Sequence, residues 1–251
     1  MTESLLAARL LTVRRLLLAS GLVLAAIAVG CTAPKQQTMI YQPLASLELP
    51  PVPPPAPPVV AQTKEPVEAD VPGMPKILPR SMWAAQPPIT PRLEPMGRIT
   101  RITIHHEGMD TDVESSMSSV ESQLRKIQRS HEERMHAGDI GYHYIIDSMG
   151  RIWEGRPIKY QGAHAGNGQA NRGNIGVVLM GNFDIQRPSS AQLSSLKSLV
   201  AYLMAKYKVN VSGIYTHREI REKEGPGYTD CPGKYLQREV NNLRSRLASA
   251  Q

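Results

Sequence analysis

Asn174-Ile175-Gly176-Val177-Val178-Leu179-Met180-Gly181 is an almost unbroken apolar run. Strands wetted on one face alternate polar and apolar side chains; a run this continuous marks a central strand covered on both faces, which requires helices on each side of the sheet. Upstream, residues 99–104 (ITRITI) do alternate, and this second strand delivers His105 and His106 to its C-terminal end. Residues 119–135 carry Val120, Leu124 and Ile127 at helical spacing. Residues 142–147, a turn at Ser148-Met149-Gly150 and residues 151–154 form a hairpin. Downstream, Ser190 is expected to cap a helix bearing Leu193, Leu196, Val200 and Leu203. A short strand over 211–216 ends at His217, and a last helix carries Leu236, Val240, Leu243 and Leu247. The expected fold is α/β, a mixed central β-sheet flanked by helices, with the polar candidates where strands end.

Composition divides the rest of the 251 residues. The chain begins MTESLLAARLLTVRRLLLASGLVLAAIAVGC, with Arg9, Arg14 and Arg15 ahead of an apolar run over 16–29. That is an export signal, too short for a comfortable membrane span. Residues 1–31 resemble a bacterial lipoprotein signal in which Cys31 becomes the lipidated first residue; Ala28, where leucine is commoner, keeps an ordinary signal peptide or an uncleaved anchor open. Thr32 after Cys31 favours the outer membrane, so the expected location is the cell envelope, as an outer-membrane lipoprotein facing the periplasm of a Gram-negative bacterium. Residues 32–78, with PPVPPPAPP at 50–58, read as a proline-rich tether reaching on the order of 100 Å at about 3 Å per residue. Residues 79–251 are the expected folded domain.

The formal charge is +7, and setting the leader aside leaves 26 Lys and Arg against 21 Asp and Glu. So mild an excess favours an anionic envelope polymer, and with little aromatic interleaving it does not point to nucleic acid. Nothing in the sequence marks an oligomeric state.

Two cysteines are present. If Cys31 is acylated, Cys231 has no disulfide partner, and metal ligation gives its thiol a reason to persist; a Cys31–Cys231 disulfide is the alternative. A hydrolytic zinc site needs three protein ligands and an open fourth position, and His105, His217 and Cys231 offer imidazole, imidazole and thiolate. With 112 residues between His105 and His217, spacing alone supports equally an exposed histidine at a strand end and a cysteine packed beneath a turn. Residues 218–230 are read as a loop that folds Cys231 back toward His217.

Eight segments occur in an order that resembles the type 2 N-acetylmuramoyl-L-alanine amidases, a superfamily that includes phage T7 lysozyme and the peptidoglycan recognition proteins. They are ITIHH (102–106), DIGYHYIID (139–147), GRIWEGRP (150–157), GAHA (162–165), NIGV (174–177), GNF (181–183), HRE (217–219) and TDCPG (229–233). Pro79-Arg80-Ser81-Met82-Trp83 is similar to the segment preceding the domain in the recognition proteins.

The resemblance implies the peptidoglycan recognition protein/amidase type 2 fold, Zn2+ held by His105, His217 and Cys231, and hydrolysis of the bond between N-acetylmuramic acid and L-alanine in peptidoglycan or muropeptides. Related amidases use aspartate as third ligand, so Asp230 is an alternative, with the softer thiolate preferred for zinc. Tyr142 matches the tyrosine that positions water or polarises the carbonyl. Thr229 stands where members carry Thr or Lys to stabilise the oxyanion, here without positive charge. The amine's proton comes from Glu107 or from solvent. His164 is expected in a groove wall with Asn167, Asn171 and Asn174, and Arg156 within reach of a peptide carboxylate. His131 is expected to pack, and His143 to face away from Tyr142 if their strand is regular. A non-catalytic peptidoglycan-binding module is the alternative function; the complete ligand set with Tyr142 favours the enzyme.

Overall fold

The computed structural model describes residues 73–109, 115–224 and 227–249. The leader and the tether as far as residue 72 lie outside them. Among the described residues no helix is long and apolar enough to cross a membrane.

Six strands form one sheet: β1 (Ile77–Leu78), β2 (Arg101–His106), β3 (Tyr144–Ile146), β4 (Ile152–Glu154), β5 (Asn174–Leu179) and β6 (Ile214–Thr216). Their spatial order is β1-β4-β3-β5-β2-β6, with only β3 and β4 antiparallel. The apolar run is therefore a central strand, β5, every residue of which is buried. Within the residues read as tether, Ile77 and Leu78 pair with Ile152 and Trp153 at the sheet edge. Flanking prolines hide so short a strand, yet suit an edge, where one row of hydrogen bonds is dispensable.

Five helices surround the sheet: α1 (Met117–Arg134), α2 (Gly168–Asn171), α3 (Ser190–Tyr207), α4 (His217–Glu224) and α5 (Lys234–Ala248). Ser116 starts α1 by accepting the Ser119 N–H, and the helix buries Val120 and Leu124 four residues apart. The cap of α3 is Ser189, one residue before the one expected, in a reciprocal capping box with Gln192. Residues 218–224, within the stretch expected as loop, belong with His217 to α4; their strong helix formers are real, but Ile220 alone is buried, so no apolar stripe announces the helix.

One face of the sheet carries Ile102, Ile104, Ile175, Val177 and Leu179 against Leu196, Leu199, Val200 and Leu203 of α3 and Leu236, Val240 and Leu243 of α5. Each such side chain contributes roughly 1.5–3 kcal/mol by burial. On the other face, Ile145, Trp153, Val178 and Met180 meet Trp83 and α1. Beyond that apolar half lie the buried polar residues Thr103, His105, His143, His164 and Asn174.

Candidate metal centre

Strand register assembles the site. β2 lies between β5 and β6, with Ile104 opposite Val177 on one side and Thr216 on the other. Parallel neighbours in register end at the same edge, so His105 and His217, just past the β6 end, emerge side by side. Their ring centroids are 4.5 Å apart. Glu219 holds the start of α4 in place: it accepts the Thr216 N–H at 2.9 Å and takes both Arg244 terminal nitrogens at 2.8 Å. Burial would raise the Glu219 carboxyl pKa, but the bonds from Arg244 and the Thr216 N–H bring it below the ordinary value.

The chain returns to His217 through Arg218, whose N–H donates to the Cys231 carbonyl at 2.9 Å and whose guanidinium donates to the Thr229 and Asp230 carbonyls. Cys231 Sγ accordingly lies 3.7 Å from His105 Nδ1 and accepts the His106 N–H at 3.4 Å. Ligand atoms of His105, His217 and Cys231 all fall within 4.8 Å of one another, the one such cluster among the described residues. Tetrahedral zinc separates its N and S ligands by roughly 3.3–3.8 Å, a modest contraction from this spacing. His217 Nε2 is buried without a hydrogen-bond partner. An imidazole with an unpartnered buried nitrogen, close to a thiol and a second imidazole, fits a borderline-soft cation. Asp230 stands apart, its side chain 70% exposed and its carboxylate taking the Tyr228 hydroxyl at 2.8 Å.

The electrostatics separate the ligands. Burial holds His105 well below the usual imidazole range, with His217 and His164 adding to it, and burial with nearby Arg221 brings His217 down to about 4. Both rings are therefore neutral near pH 7. Burial pushes the Cys231 thiol up to about 12, so a thiolate here would require a cation in place of the proton. Tyr142 sits with its ring 5.1 Å from that of His105, and burial, with Cys231 and Glu107 nearby, raises its phenol pKa and keeps it a donor. Thr229 Oγ1 accepts the Cys231 N–H at 3.2 Å, which leaves the hydroxyl hydrogen to donate elsewhere. Glu107 accepts from Gln123 through one oxygen, while the other is buried without a partner; burial raises its pKa.

Three of the residues expected to face substrate, Arg156, Asn174 and His164, are inside the protein. Arg156 is 3% exposed and donates to the carbonyls of Ile140 (2.8 Å), Gln161 (2.6 Å) and Asp139 (2.9 Å), so its guanidinium braces the run leading to Tyr142. Asn174 is fully buried; Thr103 donates to its side-chain oxygen and its amide donates to the Ala170 carbonyl. His164 is 6% exposed and bonded to His105. His143 also joins this group, its ring 5.9 Å from that of His164; β3 begins only at Tyr144, so strand alternation does not govern His143. His131 accepts the Gly141 N–H at 2.8 Å and packs edge-on to Tyr142, the packing role expected of it. The Glu219, Gln237 and Arg244 network behind His217 leaves no signal in the sequence beyond polar residues on two amphipathic helices.

The family model described as N-acetylmuramoyl-L-alanine amidase matches residues 95–234. Peptidoglycan-recognition protein SC2 of Drosophila melanogaster is 30% identical over 166 residues, covering 65% of this chain and 84% of that protein. Among solved structures, N-acetylmuramoyl-L-alanine amidase LysC from Clostridium intestinale superposes with a TM-score of 0.53 at 27% identity, over 68% of this chain and 98% of that one. A variant of Drosophila PGRP-LB in complex with tracheal cytotoxin gives 0.56 at 29% identity, over 66% and 92%.

Proposed function

The chain belongs to the N-acetylmuramoyl-L-alanine amidase family, and from that membership we propose that it is a zinc-dependent hydrolase. Its substrate in this reading is the amide between N-acetylmuramic acid and L-alanine in peptidoglycan or muropeptides. The observation that carries the reading is the convergence of two neutral imidazoles and one thiol beside a tyrosine that stays protonated.

A bound zinc ion supplies Lewis acidity toward the scissile carbonyl and a lowered pKa for the attacking water. The residues of the chain supply the rest. His105 and His217 offer lone pairs with no proton to displace, and Cys231 gives up its proton on ligation. Tyr142 donates its O–H to the carbonyl oxygen as charge develops there. Thr229, its oxygen already taken by the Cys231 N–H, turns its hydrogen toward the same atom. Water adds to the carbonyl carbon, the C–N bond breaks, and the L-alanine amine departs with a proton from Glu107 or solvent. His164, Arg156 and Asn174 act from behind this surface, since their polar atoms are already bonded inside the fold.

A non-catalytic peptidoglycan-binding module is the second reading, favoured by the similarity to recognition proteins, one of them solved with a peptidoglycan fragment. Mass spectrometry of products from purified peptidoglycan, treated with zinc-loaded or chelated protein, decides between them. Free stem peptides beginning with L-alanine, lost on chelation, support the amidase; binding without release supports the module. The envelope assignment, with residues 1–31 as signal, lipid on Cys31 and 32–78 as tether, belongs to the same proposal. Fatty-acid labelling that persists in Cys31→Ser would remove the anchor from it.

A further inference from the structure

We propose that His164 is a positioning residue that fixes His105 in the tautomer whose bare Nδ1 faces Cys231 and His217. This rests on the reading of His105 as a metal ligand, and it replaces the groove-wall role expected for His164.

The relay starts at a backbone carbonyl. The Asn174 C=O only accepts, so His164 Nε2, 3.1 Å away, carries its hydrogen and donates it. A neutral imidazole has one N–H, which leaves His164 Nδ1 an acceptor. His105 Nε2 lies 3.0 Å from that atom and therefore supplies the hydrogen. Its other nitrogen, Nδ1, is then left with a lone pair, 3.7 Å from Cys231 Sγ. No group changes charge along this path; the direction of one carbonyl selects the ligating atom two rings away. His164 is buried with the rings of His105 and His143 4.9 and 5.9 Å from its own, a place that favours a ring with a single hydrogen.

The surroundings hold the ring in one orientation. A Cβ on Gly162 would lie 2.4 Å from His164 Cδ2, and one on Gly176 would lie 2.5 Å from the same atom. The imidazole thus occupies a slot that exists because two backbones carry no side chain there. Asn171 Oδ1 accepts the N–H groups of both His164 and Ala165 at 2.9 Å, fixing the backbone from which the ring projects. Thr103 and Ala170 anchor the Asn174 side chain at 2.9 and 2.8 Å, so the residue that offers the carbonyl is itself held.

The test combines two-bond 1H–15N correlation spectra of the zinc-free full chain with zinc affinities, by chelator competition, of wild type, His164→Asn and His164→Leu. The expected wild-type spectrum shows His105 protonated at Nε2 and bare at Nδ1. Asparagine places an acceptor oxygen where Nδ1 stood and should bind zinc within a few-fold of wild type. Leucine fills the slot without an acceptor; it should lose about 10- to 100-fold in zinc affinity and give mixed His105 tautomers. Equal losses in both variants, or a leucine variant with unchanged affinity and an unchanged His105 spectrum, would overturn the relay. So would a wild-type His105 protonated at Nδ1, which decides the matter even if the leucine variant does not fold. Wild type that binds no zinc at all would sink the metal reading instead.

Discussion

The two faces of one sheet make different demands on the same strands. Ile175, Val177 and Leu179 of β5 point to α3 and α5, where apolar contact is non-directional and a neighbour can shift to absorb a change. Asn174 and Gly176, on the alternate positions, look toward His143 and His164, whose four ring nitrogens all have hydrogen-bond partners. The first face tolerates substitution by degree, whereas the second fails by specific atoms, because a buried polar group that loses its partner recovers nothing from solvent. Stability should therefore follow the first face and metal chemistry the second.

That separation is sharpest for Cys231→Ser. It should lower amidase turnover by about a thousandfold or more and abolish tight zinc binding, with the unfolding midpoint of the zinc-free protein nearly unchanged. Unchanged zinc content and rate would remove Cys231 from the ligand set. The opposite pattern belongs to Leu203→Ala beneath α3, which should cost about 3 kcal/mol in urea unfolding while turnover per folded molecule stays at the wild-type level. Tyr142→Phe should keep zinc bound, by metal analysis, and lose about a hundredfold in kcat, the usual effect of deleting one oxyanion donor.

The smallest effect is a pH dependence from the polar face. Burial lowers His143 to about 4 in the folded protein, against roughly 6.5 unfolded. Between those values the unfolded state binds the extra proton, so stability rises with pH and falls on acidification. His143 alone should account for about 2 kcal/mol of loss between pH 7 and pH 5. His143→Gln should show an acid limb shallower by that amount in urea titrations at the two pH values, and an identical limb would assign the loss to other groups.

The same contrast explains what could be read in advance. Strand β2 and helices α1, α3 and α5 are legible because burial of one apolar face imposes a period on the sequence, and β5 because burial of both faces leaves an unbroken apolar run. The His105, His217 and Cys231 set was visible as residue types and family motifs. Its approach to within 4.8 Å depends on parallel register, which no local pattern records. The family resemblance puts Arg156, Asn174 and His164 at the substrate, whereas in the structure all three are buried. Their partners include the carbonyls of Ile140, Gln161 and Ala170, and every residue has a carbonyl, so such a bond leaves no signature in the sequence. Helix α4 went unread for want of an apolar stripe, and β1 because prolines flank it.

His105 and Cys231 stand 126 residues apart in the chain and 3.7 Å apart in space. Bringing together the ends of so long a loop costs about 4 kcal/mol in chain entropy. A cation across that gap recognises only molecules that have already closed it, so its binding is linked to the global folding equilibrium. Under the proposed zinc reading, each tenfold rise in free zinc above the dissociation constant should add about 1.4 kcal/mol to stability, and the melting temperature should become a gauge of metal supply.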